Sequence, residues 1–120
     1  SFVLLEGVIF FLNQKITEEL FDLIAQVQTS GSYFGSVSFL DSIEETPCFQ
    51  RLIAFAEQEL ILEGKFEYHT LPNSFYSSLP DYELVTHEDY VSLSKQYSQE
   101  NPIEDGTQIL NEQLYVLKKK

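Results

Sequence analysis

Only Glu6 and Gly7 interrupt the apolar run from Phe2 to Leu12. From Val8 onward aliphatic and aromatic side chains fall on both faces. A strand here must be covered above and below, so Val8–Leu12 is expected as the central strand of a helix-flanked sheet. The run is far shorter than the roughly 20 apolar residues that a bilayer requires, and no charged stretch leads into a signal-type segment. Neither membrane spanning nor secretion is expected. A chain of 120 residues with 43% hydrophobic content suffices for one core and is too short for two. We therefore assign residues 1–117 to a single domain and residues 118–120 to a basic tail.

Cys48 is the sole cysteine. It has no internal partner for a disulfide and no second thiol to begin a zinc cluster, which points to a reducing compartment. Nineteen acidic residues face 7 basic ones, for a formal net charge of −12. Such a surface repels phosphate, so direct nucleic-acid binding by the folded body is not expected, and a protein partner with a basic surface is. The plainer account is that acidity keeps a small domain soluble.

After Asn13-Gln14-Lys15 the pattern changes to a helical period. Leu20, Leu23, Ile24 and Val27 form one stripe of a helix beginning at Thr17, with Ile16 and Phe21 at staple positions, and Thr29-Ser30-Gly31-Ser32 ends it. Gly35–Leu40 alternates Val37 and Phe39 against serines, as a strand with one face on the core does, and Asp41–Glu45 is an acidic turn. Thr46 caps a second helix that carries Pro47 in its first turn, buries Phe49, Leu52, Ile53, Ala56 and Leu60, and stops at Gly64. Phe66–Leu71 reads as a strand, and Pro72 to Pro80 allows only a short turn of helix. Tyr82–Val85 is a small strand, and Thr86 with Asp89 makes a capping-box variant for a helix carrying Tyr90, Leu93 and Tyr97. Gln99–Gln113 reads as a loop, after which Leu114–Leu117 returns to the core.

This order is α/β, a small and mostly parallel sheet flanked by helices, with an extra helix, Pro47–Leu62, inserted between the second and third strands. The opening Leu5-Glu6-Gly7-Val8-Ile9-Phe10-Phe11-Leu12, followed by Thr17-Glu18-Glu19-Leu20 and Leu23-Ile24, resembles the start of a BRCT domain. Leu84-Val85-Thr86, Tyr90-Val91 and the Tyr115-containing apolar end resemble its close. The likeness covers residues 4–40 and 66–117 and is nearest to the telomeric repressor–activator (Rap) family, whose second helix is very short, as Asn73–Leu79 is here. It implies a BRCT-like fold and a non-catalytic interaction module in a nuclear, chromosome-maintenance protein of telomere or repair type.

Many BRCT domains hold a phosphopeptide with a Ser or Thr after the first strand and a Lys on the second helix. Asn13 and Gln14 occupy the first place, but no Lys or Arg lies between Phe66 and Ser94 to balance a phosphate. His69 and His87 have no Cys or His at ligand spacing, Cys48 has no base nearby in sequence, and Glu44-Glu45 and Glu57-Glu59-Glu63 lack a calcium-loop pattern. Neither a catalytic group, a metal site nor a cofactor is expected. Tyr33-Phe34 and Phe75-Tyr76 either plug the ends of the sheet or anchor an interface. On the inserted helix, Phe55 and Ile61 lie off the buried stripe beside Glu57, Glu59 and Glu63. These five are the candidate partner-binding residues, and closure of the core against Tyr33-Phe34 is the alternative for Phe55 and Ile61. The rival function is a free-standing acidic protein that mimics nucleic acid or inhibits a basic partner.

Overall fold

A computed structural model describes residues 1–59, 68–98, 100–106 and 109–120. It is a mixed α/β structure whose four-stranded sheet is flanked by helices. Strand β1 (Phe2–Leu5) leads through a 3-10 turn at Ile9–Phe11 to helix α1 (Gln14–Val27) and β2 (Tyr33–Ser38). A second 3-10 turn, Asp41–Glu45, precedes α2 (Pro47–Glu59). Next come α3 (Asn73–Ser77), β3 (Tyr82–Asp89), α4 (Tyr90–Tyr97) and β4 (Gln113–Lys119). The order across the sheet is β1-β2-β4-β3.

Within the four-stranded sheet β1 and β2 form the one parallel pair, with Val3 opposite Phe34 and Leu5 opposite Ser36. Strand β4 runs antiparallel to both neighbours, placing Tyr115 between Ser36 and His87 and Leu117 between Phe34 and Leu84. Lys118 and Lys119, expected in a tail, continue β4 opposite Tyr33 and Tyr82.

Val8–Leu12 is not the central strand. The extended chain ends at Leu5, Gly7 adopts φ +71, and Ile9–Phe11 closes as a 3-10 turn that buries Ile9 and Phe10 while Val8 and Phe11 stay exposed. A left-handed backbone at Gly7 breaks the extended run, and the turn gives the following apolar residues two different environments. The strand that precedes it lies at the sheet edge.

On the inner face, Phe34, Tyr115 and Leu117 meet Phe21, Ile24 and Ala25 of α1 and Tyr76 of α3. Phe21 and Phe34 pack edge to face, 4.7 Å between centroids. Helix α1 begins earlier than expected, because the Asn13 side chain accepts the Ile16 N–H at 2.9 Å and is its N-cap. Its buried residues are Thr17, Phe21, Ile24 and Ala25; Leu23 and Val27 are 56% and 73% exposed, and Ile16 is exposed rather than stapled. One helix has two apolar stripes here, and the larger Phe21 takes the place against the sheet.

In β2 the serines face inward instead of Val37. Ser36 and Ser38 share the Tyr76 hydroxyl at 3.0 and 2.8 Å, which satisfies all three buried oxygens. Phe39 lies past the strand, in a second cluster with Phe10, Ile43 and Phe49 of α2. Within the expected strand Phe66–Leu71, residues 66 and 67 lie outside the described residues, and the rest contributes a single bridge from Leu71 to Leu40. Residues 60–64, expected to complete the second helix, also lie outside them. Strand β3 runs four residues past its expected end, through a bulge between Leu84 and Thr86. The cap of α4 is consequently Asp89, in a reciprocal box with Ser92 (2.8 and 2.9 Å), rather than Thr86.

Candidate docking surface

Two regions of the molecule gather chemistry-bearing side chains. At the end of the sheet, the rings of Tyr76, Tyr115 and His87 form a column, with centroids 3.7 and 4.4 Å apart and planes 12° and 9° from parallel. Beside it a cavity of about 480 Å³ is lined by Ser42, Thr46, Asn73, His87, Asp89, Asn111 and Gln113, among others. The polar groups here engage one another. The Tyr115 hydroxyl donates to Asn73 Oδ1, and His87 Nε2 lies 2.7 Å from Gln113 Oε1. The Asn111 amide donates to Asp89 at 3.1 Å and accepts from the Tyr90 N–H at 2.9 Å.

Burial would raise the Asp89 carboxyl, yet the Ser92 N–H, the Asn111 amide and the Ser92 hydroxyl hold it below its ordinary range. Burial pushes the Tyr115 phenol well up, aided by Tyr76 and Asp41, so it stays a proton donor. These groups brace β3, β4 and α4 together, and none of them is paired as a nucleophile with a base. Among the described residues no group of three His, Cys, Asp or Glu is placed to hold a metal ion, and no helix is long and apolar enough to cross a membrane.

The sequence-predicted residues fall elsewhere. Asn13 is consumed as the α1 cap, and the Gln14 amide reaches Glu18 at 3.2 Å. Phe55 is 56% exposed, with Glu57 and Glu59 exposed on the same helix, so the core is closed by Phe49, Leu52 and Ile53 instead. Ile61 and Glu63 lie outside the described residues. Glu57 does meet a shallow cavity with Glu44, Phe49, Ile53 and Tyr68, but Phe55 does not line it. The Leu12 carbonyl favours the protonated form of the His69 imidazole, and the ring Nδ1 is buried with no hydrogen-bond partner among the described residues.

The second region is the outer face of the sheet, where alternation places Phe2, Leu4, Gly35, Val37, Leu114 and Val116. Phe2 and Leu4 bend over Gly35, where an added Cβ would meet the Leu4 Cδ1 at 3.1 Å and the Phe2 ring at 3.3 Å. Helix α4 contributes Leu93 and Tyr90 to one side, leaving an apolar groove of about 330 Å³. An adjoining hollow of about 260 Å³, lined by Gly7, Phe10, Phe11, Phe39, Leu52 and Leu110, shares Val37 and Glu112 with it. The two form one apolar track. Phe2 and Phe11, near its two ends, are 62% and 61% exposed.

Two carboxylates, Glu6 and Glu112, stand in this track. Burial raises the Glu112 carboxyl, and the negative charge of Glu6 raises it further, opposed among the described residues by the Tyr90 hydroxyl alone. Among the described residues no cation is in the set of groups that act on it. The molecule measures 43 × 43 × 21 Å, a thickness that suits a sheet with its main helix layer on one face.

No family model, curated protein or solved structure matches this chain.

The groove was hidden from pattern reading because its residues come from β1, β2 and β4, which are remote in sequence. The available signal was the alternation of Phe2, Leu4 and Glu6, which the reading of Val8–Leu12 as the strand obscured.

Proposed function

We propose that this domain is a non-catalytic protein-interaction module that docks a partner carrying both apolar and basic side chains. The observation that carries this reading is the apolar track across the outer sheet face with Glu6 and Glu112 set into it and, among the described residues, no cation acting on Glu112. A patch of exposed apolar groups rimmed by charge is the usual composition of an interface, and opposite charge selects the partner. The net charge of −12 adds attraction to basic surfaces and opposes nucleic acid. A pure nucleic-acid mimic would use the carboxylates without the groove, so the groove favours docking. The BRCT likeness would place such a module in a nuclear chromosome-maintenance protein.

The test is a titration of the isotope-labelled protein with a short synthetic peptide of alternating Leu and Lys, followed by NMR. Shifts centred on Leu4, Val37, Leu114 and Val116 support the reading. Shifts scattered over the acidic surface, with Glu57 and Glu59 as strongly affected as the groove, overturn it in favour of the mimic.

A further inference from the structure

The two edges of the sheet are built differently. Strand β3 is bulged between Leu84 and Thr86 and carries Glu83, His87, Glu88 and Asp89, features that prevent a foreign strand from pairing. Strand β1, Phe2-Val3-Leu4-Leu5, has no charge, no proline and no bulge. Among the described residues it pairs only with β2, and no backbone hydrogen bond is made to its other side. A bare apolar edge is a template for strand addition, and soluble proteins rarely leave one without a use.

Resting on the docking role proposed above, we infer that the partner binds as an added β-strand along the open edge of β1, its side chains alternating into the outer-face groove and a Lys or Arg meeting Glu6. The period of two places Phe2 and Leu4 on one face, and Glu6, just past the end of β1, lines the same groove, so the matching segment carries two apolar residues and one basic residue at alternate positions. Backbone hydrogen bonds supply affinity, and the groove with Glu6 and Glu112 supplies selectivity. A second copy of this chain would fit the edge, but pairing β1 with itself joins two bodies of charge −12, so a basic segment is the occupant that the charge favours.

The experiment uses a peptide with Lys, Leu and Leu at alternate positions separated by Thr, a counterpart with Glu for Lys, and two N-methylated forms, each blocking the backbone N–H groups on one side of the peptide. Affinity is read by fluorescence anisotropy. One methylated form should bind roughly tenfold more weakly or worse, the other should bind like the parent, and the Glu peptide should lose affinity. If both methylated forms bind like the parent, strand addition is overturned while groove docking stands. If the parent peptide does not bind at all, the docking reading itself fails. If both methylated forms bind weakly, hydrogen exchange decides: slowed exchange of the β1 amides that face away from β2 supports the inference, and unchanged exchange overturns it. A concentration-dependent dimer in sedimentation, lost on Leu4→Lys, would assign the edge to a second copy instead.

Discussion

The Tyr76 ring lies on the Tyr115 ring at 3.7 Å, and its hydroxyl reaches across to Ser36 and Ser38. One side chain of a five-residue helix thereby joins β2 to β4 from above. Burial raises the Tyr76 phenol, with the two serines opposing, so the hydroxyl stays protonated and available as donor and acceptor.

Tyr76→Phe keeps the ring stack and leaves two buried serine oxygens without a partner. It should cost about 1–3 kcal/mol in urea unfolding, and Tyr76→Phe combined with Ser36→Ala and Ser38→Ala should recover part of that loss. A triple variant less stable than the single one would show that the hydroxyl network is not the source.

Asp89 caps α4, so Asp89→Ala should destabilise by about 0.5–2 kcal/mol at neutral pH. Because the folded-state carboxyl is held below 3.8, the stability it contributes is complete above that value and is lost as pH falls through the folded pKa. The difference in melting temperature between parent and Asp89→Ala should accordingly shrink in acid. A gap that is constant from neutral to strongly acidic pH would contradict the ionised cap.

His69 responds to pH with the opposite geometry, a base kept neutral. Burial lowers it from 6.5, against the raising effects of the Leu12 carbonyl and Glu18. The unfolded chain thus binds the proton more readily than the folded one, and stability is full above about 6.5 and falls as pH drops below it. His69→Leu removes this slope between neutral pH and the carboxylate range. Equal slopes for parent and variant would place the titration elsewhere.

The two stripes of α1 are distinguished by substitution. Phe21→Ala should cost about 3–5 kcal/mol, as deletion of a buried ring does, whereas Leu23→Ala should change stability by no more than about 0.5 kcal/mol. Reversed values would put Leu23 against the sheet.

Local chemistry made several elements legible in the sequence. The charge balance, the short helix bounded by Pro72 and Pro80, and the apolar return at Leu114–Leu117 needed only neighbouring residues to be read. Pro47 likewise marked the start of α2. The residues chosen for binding fared differently, since Phe55 and Glu57 could be seen to leave a helical stripe, but nothing local said that Glu6 and Glu112 would share one groove.

What the sequence by itself determined is the set of elements that follow from near neighbours, namely helix periods, proline and glycine breaks, and an acidic surface. Tertiary structure alone decided which of two apolar stripes on α1 faces inward, and that Ser36 and Ser38 rather than Val37 do so in β2. It also made the last strand, β4, central and antiparallel while the first became an edge. The physical reason is that burial is settled between elements. A serine is a core residue only when a Tyr76 hydroxyl arrives to satisfy it, and an apolar strand is central only when another strand pairs along each side.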